Sequence, residues 1–166
     1  MPDLLPRFAR CPVIVAPMAG GTSTPGLVTV AAAAGGIMSQ LDVRAALAAG
    51  AVAVQCGTAF LRCPESGAHP LHKAALADPA FTATAVTRAF TGRPARGLVN
   101  RFMLDHPDAP AGYPEIHCAT RPLRAAATGT GDTGRMNLWA GEGFRAATTR
   151  PAAEVVALLT GGSADS

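Results

Sequence analysis

The chain has 166 residues, of which 49% are hydrophobic and 15% charged, and its formal net charge is +3. That length suits one domain with an ordinary core, and so small and dispersed a positive charge argues against nucleic acid as a partner. The longest apolar stretch, Ala45 to Leu61, is interrupted by Gly50, Gln55 and Gly57 and falls short of the roughly 20 residues that a membrane span needs, which excludes a membrane partner and makes a soluble, cytoplasmic protein the expectation.

The opening residues hold no apolar run of signal-peptide length, because Pro2, Pro6, Pro12 and Pro17 interrupt it. Val13 to Ala16 then reads as a short buried strand ending at Pro17. A glycine-rich turn follows, with Thr24 as helix cap and Pro25 as first helical residue, and Leu27 to Ala34 fills the helix up to Gly35-Gly36. Asp42 to Ala49 reads as a second helix, capped by Asp42 and closed by Gly50. Ala51 to Gln55 is a strand, Cys56-Gly57-Thr58 a turn at its carboxyl end, and a short helix continues into Phe60 and Leu61. This alternation is α/β architecture.

Beyond Pro64 the pattern becomes more helical. The spacing predicts helices over His69 to Ala77, Gly97 to Leu104, Pro114 to Thr128 and Pro151 to Leu159, with a kink or break at Pro122. Phe81 to Phe90 is extended or mixed, a turn surrounds Arg93-Pro94, Gly129 to Gly134 is a flexible turn, and Met136 to Phe144 is irregular. The tail after Gly161 frays. The cysteines Cys11, Cys56, Cys63 and Cys118 form no C-x-x-C pair, which fits a reducing compartment. Cys63 with His69 and His72 lacks the paired spacing of a zinc site, so no metal is expected.

Two glycine-bearing loops stand at the carboxyl ends of apolar strands, where parallel α/β folds present backbone N–H groups to anions. One is Ala16-Pro17-Met18-Ala19-Gly20-Gly21 and the other Gln55-Cys56-Gly57-Thr58; Gly35-Gly36-Ile37, ahead of the Asp42 helix, is a third candidate. Each alone is usually only a turn. Arg88, Arg93, Arg96 and Arg101 read as surface charges around a turn rather than an anion clamp. Trp139 reads as a packing anchor more readily than as a surface for stacking a planar ligand.

Together and in this order, the motifs resemble the nitronate monooxygenase family, FMN enzymes of the TIM-barrel class. Pro12 to Pro25 resembles the family's opening strand and loop. Gly35-Gly36-Ile37, Asp42 to Leu47, Gly50-Ala51 and Val54 to Leu61 are similar to its late phosphate-binding units. Thr87 to Leu98 with Asn100 resembles the part just after the barrel, and Asn137-Leu138-Trp139-Ala140-Gly141 with Gly143 resembles the closing motif. The flavin-dependent enoyl reductases share the barrel and phosphate loops, and the Arg93 to Arg96 and Trp139 to Gly141 segments favour the nitronate enzymes.

The resemblance implies FMN as cofactor and alkyl nitronates with dioxygen as substrates. It places Ala16, Pro17 and Met18 along the flavin, and Gly36, Gln55, Cys56, Gly57 and Thr58 at the FMN phosphate. It also implies a partial (β/α) TIM-barrel fragment over residues 1–61 and a mostly helical C-terminal extension over 62–166. A complete barrel takes roughly 250 residues, so the family's middle strands and catalytic histidine have no counterpart. His69, His72, His106 and His117 all follow Leu61 and are expected to be surface or capping residues. The stretch Val28 to Ile37 must serve both as the end of the first helix and as the strand before the phosphate loop. An FMN-dependent oxidoreductase impaired by an internal deletion is the leading reading. A non-catalytic flavin- or phosphate-binding remnant, or the product of an internally deleted gene, is the alternative. Strand edges left without neighbours predict a marginal monomer or a homo-oligomer that supplies the missing surface.

Overall fold

The computed structural model of the chain describes residues 11–15 and 36–162. Length alone suggested one domain, whereas the chain divides into two compact units, Met1–Gly67 with Gly143–Ser166, and Ala68–Glu142. The expected first helix over Leu27 to Ala34, most of the Val28 to Ile37 stretch and the tail lie outside the described residues. No helix among the described residues is long and apolar enough to cross a membrane.

The first unit is built on a parallel strand pair. Strand β1, Val13–Val15, lies beside β2, Val54–Cys56, with Val13 opposite Val54, Ile14 opposite Gln55 and Val15 opposite Cys56. The Val54 N–H donates to the Pro12 carbonyl at 2.7 Å. Strand β2 starts at Val54 rather than Ala51 and runs on through Cys56, because these are the residues that pair with β1; Ala53 and Val54 are both fully buried. Between the strands in sequence comes helix α1, Gln40–Ala48. Its cap is Ser39, not Asp42: the Ser39 hydroxyl accepts from the Asp42 N–H at 3.2 Å, and the Asp42 carboxylate accepts from the Ser39 N–H at 2.9 Å. That reciprocal box satisfies donors that a helix start leaves orphaned.

A 3-10 turn over Thr58–Phe60 follows β2 and buries Ala59 and Phe60. The core is completed from far along the chain by helix α5, Ala152–Thr160, whose Val155 and Leu159 pack with Ile37, Val43, Val54, Cys56 and Phe60. Burying two such side chains contributes about 1.5–3 kcal/mol each. Two polar ties hold the returning segment: the Glu65 carboxylate accepts from the Ala152 N–H at 3.0 and 3.1 Å, and Arg62 donates to the Ala147 carbonyl at 3.0 Å. Thus α5 belongs with the N-terminal strands although it lies in the region read as the extension.

The second unit centres on an antiparallel hairpin. Strands β3, Thr84–Thr87, and β4, Ala95–Leu98, pair with Thr84 opposite Leu98 and Thr87 opposite Ala95. The helix expected from Gly97 is therefore corrected. Leu98 N–H donates to the Leu138 carbonyl at 2.9 Å and Ala140 N–H to the Arg96 carbonyl at 3.1 Å, so a distant segment draws these residues into a ribbon. Helix α3 begins only at Arg101 and runs to Asp105, capped by the Asn100 side chain, which accepts from Met103 N–H at 3.2 Å. Asn100 also donates to the carbonyls of Thr133 and Met136, at 3.1 and 2.7 Å.

Helix α2, Pro70–Ala75, starts at His69, whose ring accepts from the Leu71 N–H. Helix α4, Glu115–Thr130, runs through Pro122 without the break expected there. Pro122 removes a hydrogen bond to the Cys118 carbonyl, but both residues are exposed, which lowers the cost of leaving that carbonyl without a helical partner. The helix covers the first residues of the turn expected from Gly129. The unit's aromatic core joins Phe90 to Phe102, with ring centres 4.8 Å apart, and to Trp139 edge-on at 5.5 Å.

Candidate functional site

The carboxyl end of the β1–β2 pair is where this architecture presents backbone groups to a ligand. Of the residues expected there, Cys56 is the last residue of β2 rather than part of the turn, Gly57 caps the 3-10 turn, and Thr58 opens it. Gln55 is half-buried beside Ile14. Gly36 has φ +97°, a left-handed conformation that favours glycine. A Cβ there would meet no atom of the described residues within 4 Å. Ile37, the next residue, is buried in the same core as Cys56 and Ala59. The Gly36 loop and the Gly57–Thr58 turn are thus anchored by neighbours in one core. Ala16, Pro17 and Met18 lie outside the described residues.

The loop from Gly36 into α1 is held by a single carboxylate oxygen. Asp42 Oδ2 accepts from Met38 N–H at 3.0 Å, from Ser39 N–H at 2.9 Å and from the Ser39 hydroxyl at 2.8 Å. The Met38 amide, then the Ser39 hydroxyl and amide, hold the Asp42 carboxyl below the usual carboxylate range. Burial pushes the Cys56 thiol up to about 11, with the Asp42 charge adding to the effect. Cys56 therefore stays protonated at neutral pH and packs as a small apolar group, not as a nucleophile.

A glycine with positive φ at Gly36 and a strand end before Gly57 are backbone features of the kind that anion sites use. The Met38 and Ser39 amides, just ahead of α1, are not available to an anion, because they already serve Asp42. The Asp42 charge also tempers the affinity of this end for anions.

The histidines are all in the second unit, and each has a structural contact. His69 caps α2, His106 lies edge-on to Phe102 at 4.6 Å, and His117 faces Arg124 at 3.3 Å. His72 departs from the surface expectation: it is half-buried, and its Nε2 donates to the Trp139 carbonyl at 3.0 Å. Burial lowers its pKa, opposed by that hydrogen bond and reinforced by nearby His69. Trp139 packs on Phe90, in accord with an anchoring role. Arg96 pairs with Glu142 at 3.0 Å, Arg101 with Asp105 at 3.6 Å, and Arg93 lies over the Tyr113 ring at 3.9 Å, so these arginines form no clamp. Among the described residues no cluster of metal-ligating side chains gathers.

Sequence reasoning missed Ser39 and Met38. The S-x-x-D spacing of Ser39 and Asp42 carried the capping signal; the position of Met38 depends on a distant segment and had none.

A family model described as nitronate monooxygenase matches residues 30–162. The chain is 45% identical over 131 residues to a nitronate monooxygenase of Pseudomonas aeruginosa, covering 76% of this chain and 37% of that protein. Among solved structures, a nitroalkane oxidase from Streptomyces ansochromogenes superposes with a TM-score of 0.75 at 53% identity, covering 82% of this chain and 40% of that one. A FabK mutant from Thermotoga maritima superposes with a TM-score of 0.54 at 28% identity, over 76% of this chain and 38% of that one. The chain spans about two fifths of the length of these relatives.

Proposed function

The chain belongs to the nitronate monooxygenase family, and from that premise we propose that it is an FMN-dependent oxidoreductase of this type, acting on alkyl nitronates with dioxygen in the cytoplasm and impaired by absence of the middle barrel. The observation that carries the reading is the pairing of a left-handed Gly36 with the Gly57–Thr58 turn at the end of a parallel strand pair. The amides of Gly36, Gln55, Cys56, Gly57 and Thr58 are assigned to the FMN phosphate, and Ala16, Pro17 and Met18 to the flavin. Bound FMN would supply the electron transfer, leaving binding and orientation to the protein.

The first unit contains no histidine, since all four lie between Ala68 and Glu142. Removing a proton from a neutral nitroalkane needs a positioned base. A pre-formed nitronate is already an anion and needs none. Oxygen consumption by the FMN-loaded protein is therefore expected with an alkyl nitronate and not with the corresponding nitroalkane. Equal rates with both would contradict the reading by revealing a base.

The chain's span of about two fifths of its relatives favours a second reading, a flavin- or phosphate-binding remnant without turnover. Retained FMN with no oxygen consumption from either substrate would select it. Among the described residues β1 and β2 pair only with each other, which supports self-association that covers their outer edges.

A further inference from the structure

We infer that Gly143 is a positioning residue: it lets the closing segment sit against the Gly36–Met38 loop and thereby fixes the orientation of Gly36. The bearing on the phosphate site rests on the function proposed above; the effect on Gly36 itself does not. A Cβ added at Gly143 would overlap the Met38 side chain at Cγ, and would lie 3.4 Å from Met38 Cβ and 3.5 Å from the Gly36 carbonyl oxygen. Met38 Cγ lies next to the backbone, so swinging the far end of the side chain leaves the overlap in place; it is relieved only by rotation about χ1 or by a shift of the loop.

The neighbours of Met38 decide where the displacement goes. Its amide is pinned to Asp42 Oδ2 at 3.0 Å, and Ser39 is pinned to the same oxygen through both its amide and its hydroxyl. Ile37 is anchored in the core. The remaining soft joint is Gly36, whose φ of +97° lies in a region broadly open to glycine. Gly143 itself has φ −77° and ψ 16°, a conformation any residue adopts, so alanine there brings a steric conflict and no backbone strain. Phe144, buried beside it, keeps the segment from backing away.

The test compares the wild type, Gly143→Ala, Met38→Ala and the double variant by two readouts. The first is the amide resonance of Gly36 in ligand-free, nitrogen-15-labelled protein. The second is the FMN dissociation constant from flavin fluorescence. Gly143→Ala is expected to shift the Gly36 resonance and weaken FMN by about tenfold, the scale of one lost hydrogen bond to a charged group. Met38→Ala in the same chain, which removes the overlapping Cγ, is expected to restore both. An unmoved Gly36 resonance in Gly143→Ala overturns the inference. So does a double variant that stays as weak as Gly143→Ala, since a general loss of fold would not be rescued at Met38. If wild type binds no FMN, the functional reading fails, and the Gly36 resonance still decides the role of Gly143.

Discussion

Thr84 finds its strand partner at Leu98, a short hairpin away, while Val13 must find Val54 and the same core must then be closed by Val155 and Leu159. The unit Ala68–Glu142 is largely made of contacts within one continuous segment. The unit that carries the candidate site is assembled from both ends of the chain. Loop closure must be met before such distant contacts are rewarded, so the second arrangement is slower to form and easier to open locally. The local unit holds the histidines and the aromatic core, and the non-local unit holds the glycine loops. The proposed cofactor site therefore depends on the unit whose pieces are hardest to bring together.

The sharpest way to break this contrast is to damage each core separately. Trp139 is the only tryptophan and sits in the second unit, so its fluorescence reports from that unit. Phe90→Ala removes a ring that is 1% exposed and should cost about 4 kcal/mol in the tryptophan-detected denaturant transition. Leu159→Ala, also 1% exposed, should cost the first unit about 3 kcal/mol while leaving the tryptophan transition in place. Equal shifts of that transition by both substitutions would mean that the chain unfolds as one body.

A smaller effect sharpens the account of the second unit. Burial lowers the pKa of His72 from its ordinary 6.5, so the folded state favours the neutral ring. The resulting stability is present above pH 6.5 and is lost as pH falls through the lowered folded value. The tryptophan-detected stability should therefore decline on that acid side, and His72→Gln, which keeps a donor toward the Trp139 carbonyl, should flatten the decline. An unchanged acid limb in His72→Gln would place the titrating group elsewhere.

Local chemistry was legible in the sequence where neighbours in the chain decide the structure. The apolar run at Val13, the Asp42 helix, the turn at Gly57-Thr58 and the helix after Pro151 each carry their own signal in residue type and spacing. Even there, Asp42 was read as the cap although Ser39, three residues earlier, is the cap it partners. What could not be read was set by distant partners. Ala95–Leu98 has no strand pattern of its own and becomes one because it pairs with Thr84–Thr87 on one side and hydrogen-bonds to Leu138 and Ala140 on the other. Nothing near Gly143 announces that Met38 lies against it. Of the expected site, Gly36 and the Gly57–Thr58 turn are anchored through one core, while Ala16, Pro17 and Met18 fall outside the described residues.

On the function proposed above, this chain keeps the phosphate-holding end of a flavin site. The most direct measurement is retention of visible flavin absorption after desalting, with the protein loaded in parallel with FMN and with riboflavin, which lacks the phosphate. FMN is expected to be retained and riboflavin to be lost, because the proposed contacts of Gly36 and the Gly57–Thr58 turn are with the phosphate. Loss of both, or retention of both alike, would contradict it.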